Sequence, residues 1–154
     1  MTSPPAPPLS ADPSTAVPDR ARRLALAGLL PFALGAMLMW VVWPEAHPYV
    51  ALGLSAYAAL IVSFLGGVYW GLAMRNPQAP LSLYAWGLLP SAPAWVAVMM
   101  PPSAGLVIDG LLLAGGYLVD RRVYPEQGLA DWLTLRFRLS MGAALCCFLG
   151  AAAT

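Results

Sequence analysis

The hydrophobic pattern divides the chain into five long runs with few polar interruptions, at about 24–43, 49–74, 82–100, 104–119 and 132–153. A helix needs ~20 apolar residues to cross a hydrocarbon core, and Leu24 to Trp43 supplies an uncharged stretch of that length. It is too long for the apolar region of a signal peptide, about 7–15 residues, and it ends in Trp43-Pro44-Glu45-Ala46-His47-Pro48 rather than at a small-residue cleavage site. The second run is long enough that it must tilt or leave its ends among headgroups. Pro90 and Pro93 interrupt the third run and predict a kinked helix, and Pro101-Pro102-Ser103 forces a tight turn into the fourth. Leu139 onward is short for a crossing, so the fifth helix is expected to begin near Asp131, with Asp131 as its N-cap and Trp132 as an interfacial anchor. The fold expected is an all-α membrane protein, a bundle of five transmembrane helices over residues 20–154. Residues 1–19, rich in Pro, Ser, Thr and Ala, are expected to form a disordered tail.

Charge placement sets the orientation. All eight basic residues are arginines, and with the N-terminus inside they fall on one side: Arg20, Arg22 and Arg23, then Arg75, then Arg121, Arg122, Arg136 and Arg138. Cytoplasmic loops carry this excess, which predicts an inside N-terminus and an outside C-terminus. Arg136 and Arg138 are expected to snorkel to the interface, and with Arg121 and Arg122 they are candidates for docking anionic headgroups or a partner's loop. The abundance of Ala, Gly, Pro and Arg without lysine points to a GC-rich genome and a bacterial inner membrane.

Composition narrows the chemistry. The chain is 60% hydrophobic and 10% charged with a formal net charge of +1, which supplies no basic surface for nucleic acid. Without lysine there is no Schiff-base chemistry on a side chain, and no phosphate-binding, zinc-protease or nucleophile-elbow motif occurs. His47 is the only histidine and the adjacent Cys146 and Cys147 point about 100° apart on a helix, so a zinc site lacks ligands. Met37, Met39 and Met99 are ordinary span residues rather than a copper set. No metal and no cofactor are expected.

Two intramembrane features remain. Ser55, Ala59, Ser63, Gly67 and Gly71 recur every four residues, with Gly67 and Gly71 forming a GxxxG, a stripe suited to close helix packing within the bundle or in a homo-oligomer. Asp109 is the one ionisable residue well inside an uncharged run. Counting inward at ~1.5 Å per residue places it about 9 Å deep, level with Ser55, Tyr57, Trp95, Cys146 and Cys147. Ser55, Tyr57 and Trp95 are therefore expected to gather around Asp109. The cluster serves either an interhelical hydrogen bond that orders the bundle, or a proton or cation relay or a small polar-ligand site.

Three segments carry a family resemblance: Ser63-Phe64-Leu65-Gly66-Gly67-Val68-Tyr69-Trp70-Gly71, Pro90-Ser91-Ala92-Pro93-Ala94-Trp95 and Asp131-Trp132-Leu133-Thr134-Leu135-Arg136. In type and order they resemble the transmembrane protein 69-like family of small bacterial and mitochondrial membrane proteins. The resemblance implies a multi-span membrane protein and transfers no activity, substrate or catalytic residue. The function expected is a non-enzymatic assembly or accessory factor packing against membrane partners or lipids. The alternative is a small transporter or proton-coupled carrier using Asp109 and the kinked third span.

Overall fold

The computed structural model describes residues 16–154, so most of the proline-rich stretch expected as a tail lies outside the described residues. Seven α-helices make five crossings: α1 (Asp19–Ala27) with α2 (Leu30–Val41), α3 (His47–Met74), α4 (Leu81–Leu88) with α5 (Ser91–Met99), α6 (Pro102–Glu126), and α7 (Leu133–Ala152), which follows a 3₁₀ turn at Ala130–Trp132. The short connections fold consecutive crossings back antiparallel. The basic residues consequently gather at the end of the bundle that holds the start of α1.

Prolines set several boundaries. Pro31, Pro48 and Pro102 stand in the first turns of α2, α3 and α6, where a missing N–H removes no helical bond. The third crossing breaks at Leu89-Pro90: Leu89 N–H closes α4 on Ala85 O at 2.8 Å, and Ala94 N–H restarts the ladder on Pro90 O at 3.2 Å. Pro93 falls in the first turn of α5, so the interruption is Pro90's work.

The helix of the fourth run does not stop at Val119. It continues through Asp120, Arg121 and Arg122 to Glu126 and ends where Gly128 takes φ +70°. There Leu129 N–H reaches back to Tyr124 O at 2.8 Å and Gly128 N–H to Pro125 O at 3.2 Å, a Schellman closure that satisfies the last carbonyls. The expected cap at Asp131 is replaced: Asp131 lies in the 3₁₀ turn, and Trp132 stands at the N-cap of α7 without a side-chain bond.

At the centre is α3, packed on α2, α4, α5, α6 and α7, while α6 and α7 form the most extensive helix pair. The core is built from small residues facing larger ones: Ala58, Ala94 and Ala143 around Phe32, Leu54, Val62, Leu106 and Leu113. Alanine at these positions lets helix axes approach, which sets the packing where lipid supplies no hydrophobic force between helices. Large apolar side chains face outward instead, among them Trp40, Trp43, Phe64, Leu88 and Leu111. That inside-out distribution suits a bundle solvated by lipid.

Candidate functional site

Two buried polar clusters lie on one face of α6. Asp109 and Asp120 are eleven residues apart, just over three full turns, which puts them on the same side of the helix roughly 16 Å from each other. Leu106, Asp109, Leu113, Asp120 and Tyr124 are all buried along that side.

The first cluster lies toward the arginine-bearing end and joins three helices. Asp120 is fully buried. Tyr69 of α3 donates its hydroxyl to Asp120 Oδ1, and Arg136 of α7 donates Nε to Oδ2 at 2.5 Å. Both carboxylate oxygens are thus engaged, one by a neutral donor and one by a countercharge. A carboxylate removed from water requires this arrangement if it is to remain ionised. Arg136 is 8% exposed, so the expectation of a snorkelling or docking residue is corrected for it: the buried carboxylate draws the guanidinium inward. Arg121, Arg122 and Arg138 are exposed.

A cavity of about 340 Å³ opens beside this triad. Its walls come from α3, the broken third crossing and α6, with Tyr69, Asp120 and Arg136 at one end and otherwise apolar side chains, including Trp86, Leu89, Pro90 and Pro93. A second cavity of about 360 Å³ lies between α1, α2, α3 and α7, where Arg136 and Ser140 are its polar residues. Ser140 Oγ is buried without a hydrogen-bond partner among the described residues.

The second cluster is smaller than expected. Ser55 Oγ donates to Asp109 Oδ2 at 3.3 Å, while Oδ1 has no partner among the described residues. Gly105 brings α5 against α6 there: a Cβ on it would collide with Ala97 O and stand 3.0 Å from Ser55 Oγ. Tyr57 does not join. It follows Ser55 by two residues, about 200° around the helix, and donates instead to Gly28 O at 3.0 Å, with its ring edge-on to Phe32. There it satisfies a carbonyl at the α1–α2 junction. Trp95 does not join either; it is 66% exposed on the outer surface, one residue beyond buried Ala94.

The small-residue stripe also divides. Ser55 and Ala59 are buried and Ser63 is half-buried, whereas Gly67 and Gly71 are exposed, with nothing within 4 Å of an added Cβ. A four-residue step advances 400°, about 40° beyond a full turn, so the stripe drifts by about 160° from Ser55 to Gly71. The glycine packed inside is Gly66, whose backbone meets that of Gly87 in α4.

Sequence reasoning missed Tyr69, Asp120 and the inward role of Arg136. The available signal was periodic: Ser55, Ala58, Val62, Gly66, Tyr69 and Ala73 keep one buried face of α3, and Arg136, Ser140, Ala143 and Cys147 one face of α7. Among the described residues, no group of three or more His, Cys, Asp or Glu converges on a point where a metal could be held. Cys146 and Cys147 are unbridged.

The family model described as "Protein of unknown function (DUF3429)" matches residues 17–152. Transmembrane protein 69 of Xenopus tropicalis is 38% identical over 117 residues, covering 71% of this chain and 46% of that relative. Its namesake from Mus musculus is 27% identical over 118 residues, covering 75% of this chain and 48% of the relative. The chain therefore spans about half the length of the curated relatives it matches. No solved structure matches it. With five helices long and apolar enough to span a bilayer, the chain is a multi-pass membrane protein that resembles transmembrane protein 69 and belongs to the DUF3429 family.

Proposed function

We propose that the chain is a non-enzymatic accessory or assembly factor of a bacterial inner membrane, with its arginine-bearing end in the cytoplasm, and that it packs against a partner membrane protein through α3. The exposed pair Gly67 and Gly71 carries this proposal. Glycines turned out of the bundle add nothing to its core, but they let a partner's helix backbone come close, the kind of contact that drives association where lipid removes the hydrophobic force. Arg121, Arg122 and Arg138, exposed at one end, add bidentate donors for anionic headgroups or a partner's loop. The test is native mass spectrometry of the protein extracted from its own membrane in lipid particles. Gly71→Leu is expected to remove a stoichiometric companion protein while leaving the melting temperature of the isolated chain within about 2–4 °C, since the new side chain enters open space. An unchanged set of companions would sink this assignment.

A carrier role is favoured by one observation, the buried Asp109 with an unpartnered oxygen beside the broken third crossing. Intramembrane carboxylates of this kind mark ion pathways. Under that role Asp109→Asn abolishes ion flux in proteoliposomes without lowering membrane abundance. If Asp109 only ties α6 to α3, Asn preserves the hydrogen bond and is tolerated, whereas Asp109→Leu lowers abundance.

A further inference from the structure

We propose that the cavity between the third crossing and α6 is a binding site for a lipid-soluble molecule with a neutral carbonyl head and an apolar body, the carbonyl accepting from the guanidinium of Arg136. The shape of the cavity separates head from body. Its charged and hydroxyl groups sit at one end, about 5–9 Å from the helix ends, and its walls run on to Val62 and Leu111, roughly 10–14 Å deeper along α3 and α6. An occupant that fits has one polar terminus near headgroup level and a body directed toward the bilayer centre.

Access is lateral. Trp86, Leu89 and Leu111 line the cavity and are 40%, 59% and 60% exposed on the outside of the bundle, so the mouth faces hydrocarbon. The room itself comes from two consecutive glycines: Gly115 and Gly116 form part of the wall, and a Cβ on either would meet nothing within 4 Å. The volume, about 340 Å³, falls at the lower end of the ~300–1,000 Å³ typical of small-molecule sites.

Hydrogen-bond bookkeeping fixes the chemistry of the head. Tyr69 and Arg136 Nε occupy both oxygens of Asp120, and the Tyr69 proton is committed to that bond. An arginine carries five N–H donors, of which the Asp120 bond uses one, and it accepts nothing. The N–H groups that Arg136 has beyond that bond are donors, and they suit a head that accepts. Because Asp120 and Arg136 already cancel in charge, an anionic head would leave an unbalanced negative charge among apolar walls, whereas a carbonyl would not. Quinones and acyl esters both supply such a carbonyl.

Calorimetric titration of the full chain in dodecyl maltoside, a detergent without carbonyls, tests the site. Decylubiquinone or monoolein is expected to bind saturably, one molecule per chain, and the probe that binds identifies the quinone or the ester as the source. Decylbenzene, which lacks the head, and oleate, which carries a charge, are expected to bind at least about tenfold more weakly. Gly116→Leu, filling the cavity from an open position, is expected to weaken the better probe by at least about tenfold, and Gly115→Leu repeats the test should Gly116→Leu melt early. Failure of both carbonyl probes to bind, equal binding of decylbenzene, tighter binding of oleate, or full affinity in a folded cavity-filling variant would each overturn the proposal.

Discussion

Asp120→Ala is expected to destabilise the folded bundle by about 3–5 kcal/mol, the cost of leaving a buried guanidinium without its countercharge. The side chain is fully buried, and Arg136 is held inside the bundle by it alone among the carboxylates it pairs with in the described residues. Arg136→Ala should cost a similar amount for the converse reason, an uncompensated carboxylate. The double variant Asp120→Ala/Arg136→Ala should be less destabilised than the sum of the two, since neither charge is then stranded. Tyr69→Phe removes one hydrogen bond to a charged acceptor and keeps the ring, so a smaller loss of about 1.5–3 kcal/mol follows. Unfolding in mixed micelles measures all four. Single variants within about 0.5 kcal/mol of the wild type would mean that the ion pair is solvated and that the packing of α3, α6 and α7 holds without it.

Why the triad escaped sequence reasoning while the five crossings did not is a matter of what each depends on. Crossings depend on length and apolarity summed over about 20 residues, a quantity that any one charge perturbs little. Asp120, Arg121 and Arg122 read as the start of a polar connection, yet the helix continues and the three residues point in different directions, with Asp120 inside and both arginines outside. At about 100° per residue, adjacent charges on one helix necessarily diverge, and a linear scan merges what rotation separates. Depth counting placed Ser55 correctly against Asp109 because both also face the bundle axis. It misplaced Tyr57 and Trp95, which share the depth but not the direction. Pro90 was legible because a missing N–H acts on the chain locally, whatever the helix rotation. The cavity was not, because it needs Gly115, Gly116, Trp86 and Tyr69 from three crossings at once.

The same rotational argument yields opposite outcomes for two adjacent glycines. Gly66→Val is expected to destabilise the isolated chain by about 1–3 kcal/mol or more, as overpacking a tight contact does, while Gly67→Val is expected to leave it nearly unchanged. A Cβ on Gly66 would run into Gly87 O, and the obstacle is backbone, which cannot rotate away as a side chain can. On Gly87 an added Cβ would meet the Trp70 indole and lie 2.9 Å from Gly66 O, so that contact is blocked from both sides. Trp70 is in turn fixed edge-on to Tyr84, with ring centroids 5.5 Å apart, which leaves the indole little freedom to yield. Relief would require α4 to move off α3. Since α4 supplies Trp86 and Leu89 adjoins it in the wall of the first cavity, such a shift should widen the cavity as well as lower stability. A Cβ on Gly67 would meet no neighbour within 4 Å, so the effect of Gly67→Val should appear only in association with a partner. Thermal melts of the two variants side by side in detergent decide the register of α3. A reversed order, with Gly67→Val the less stable, would mean that α3 is rotated by about 100° from the placement described, with Gly67 rather than Gly66 against α4; equal stability would mean that neither glycine is pressed against α4.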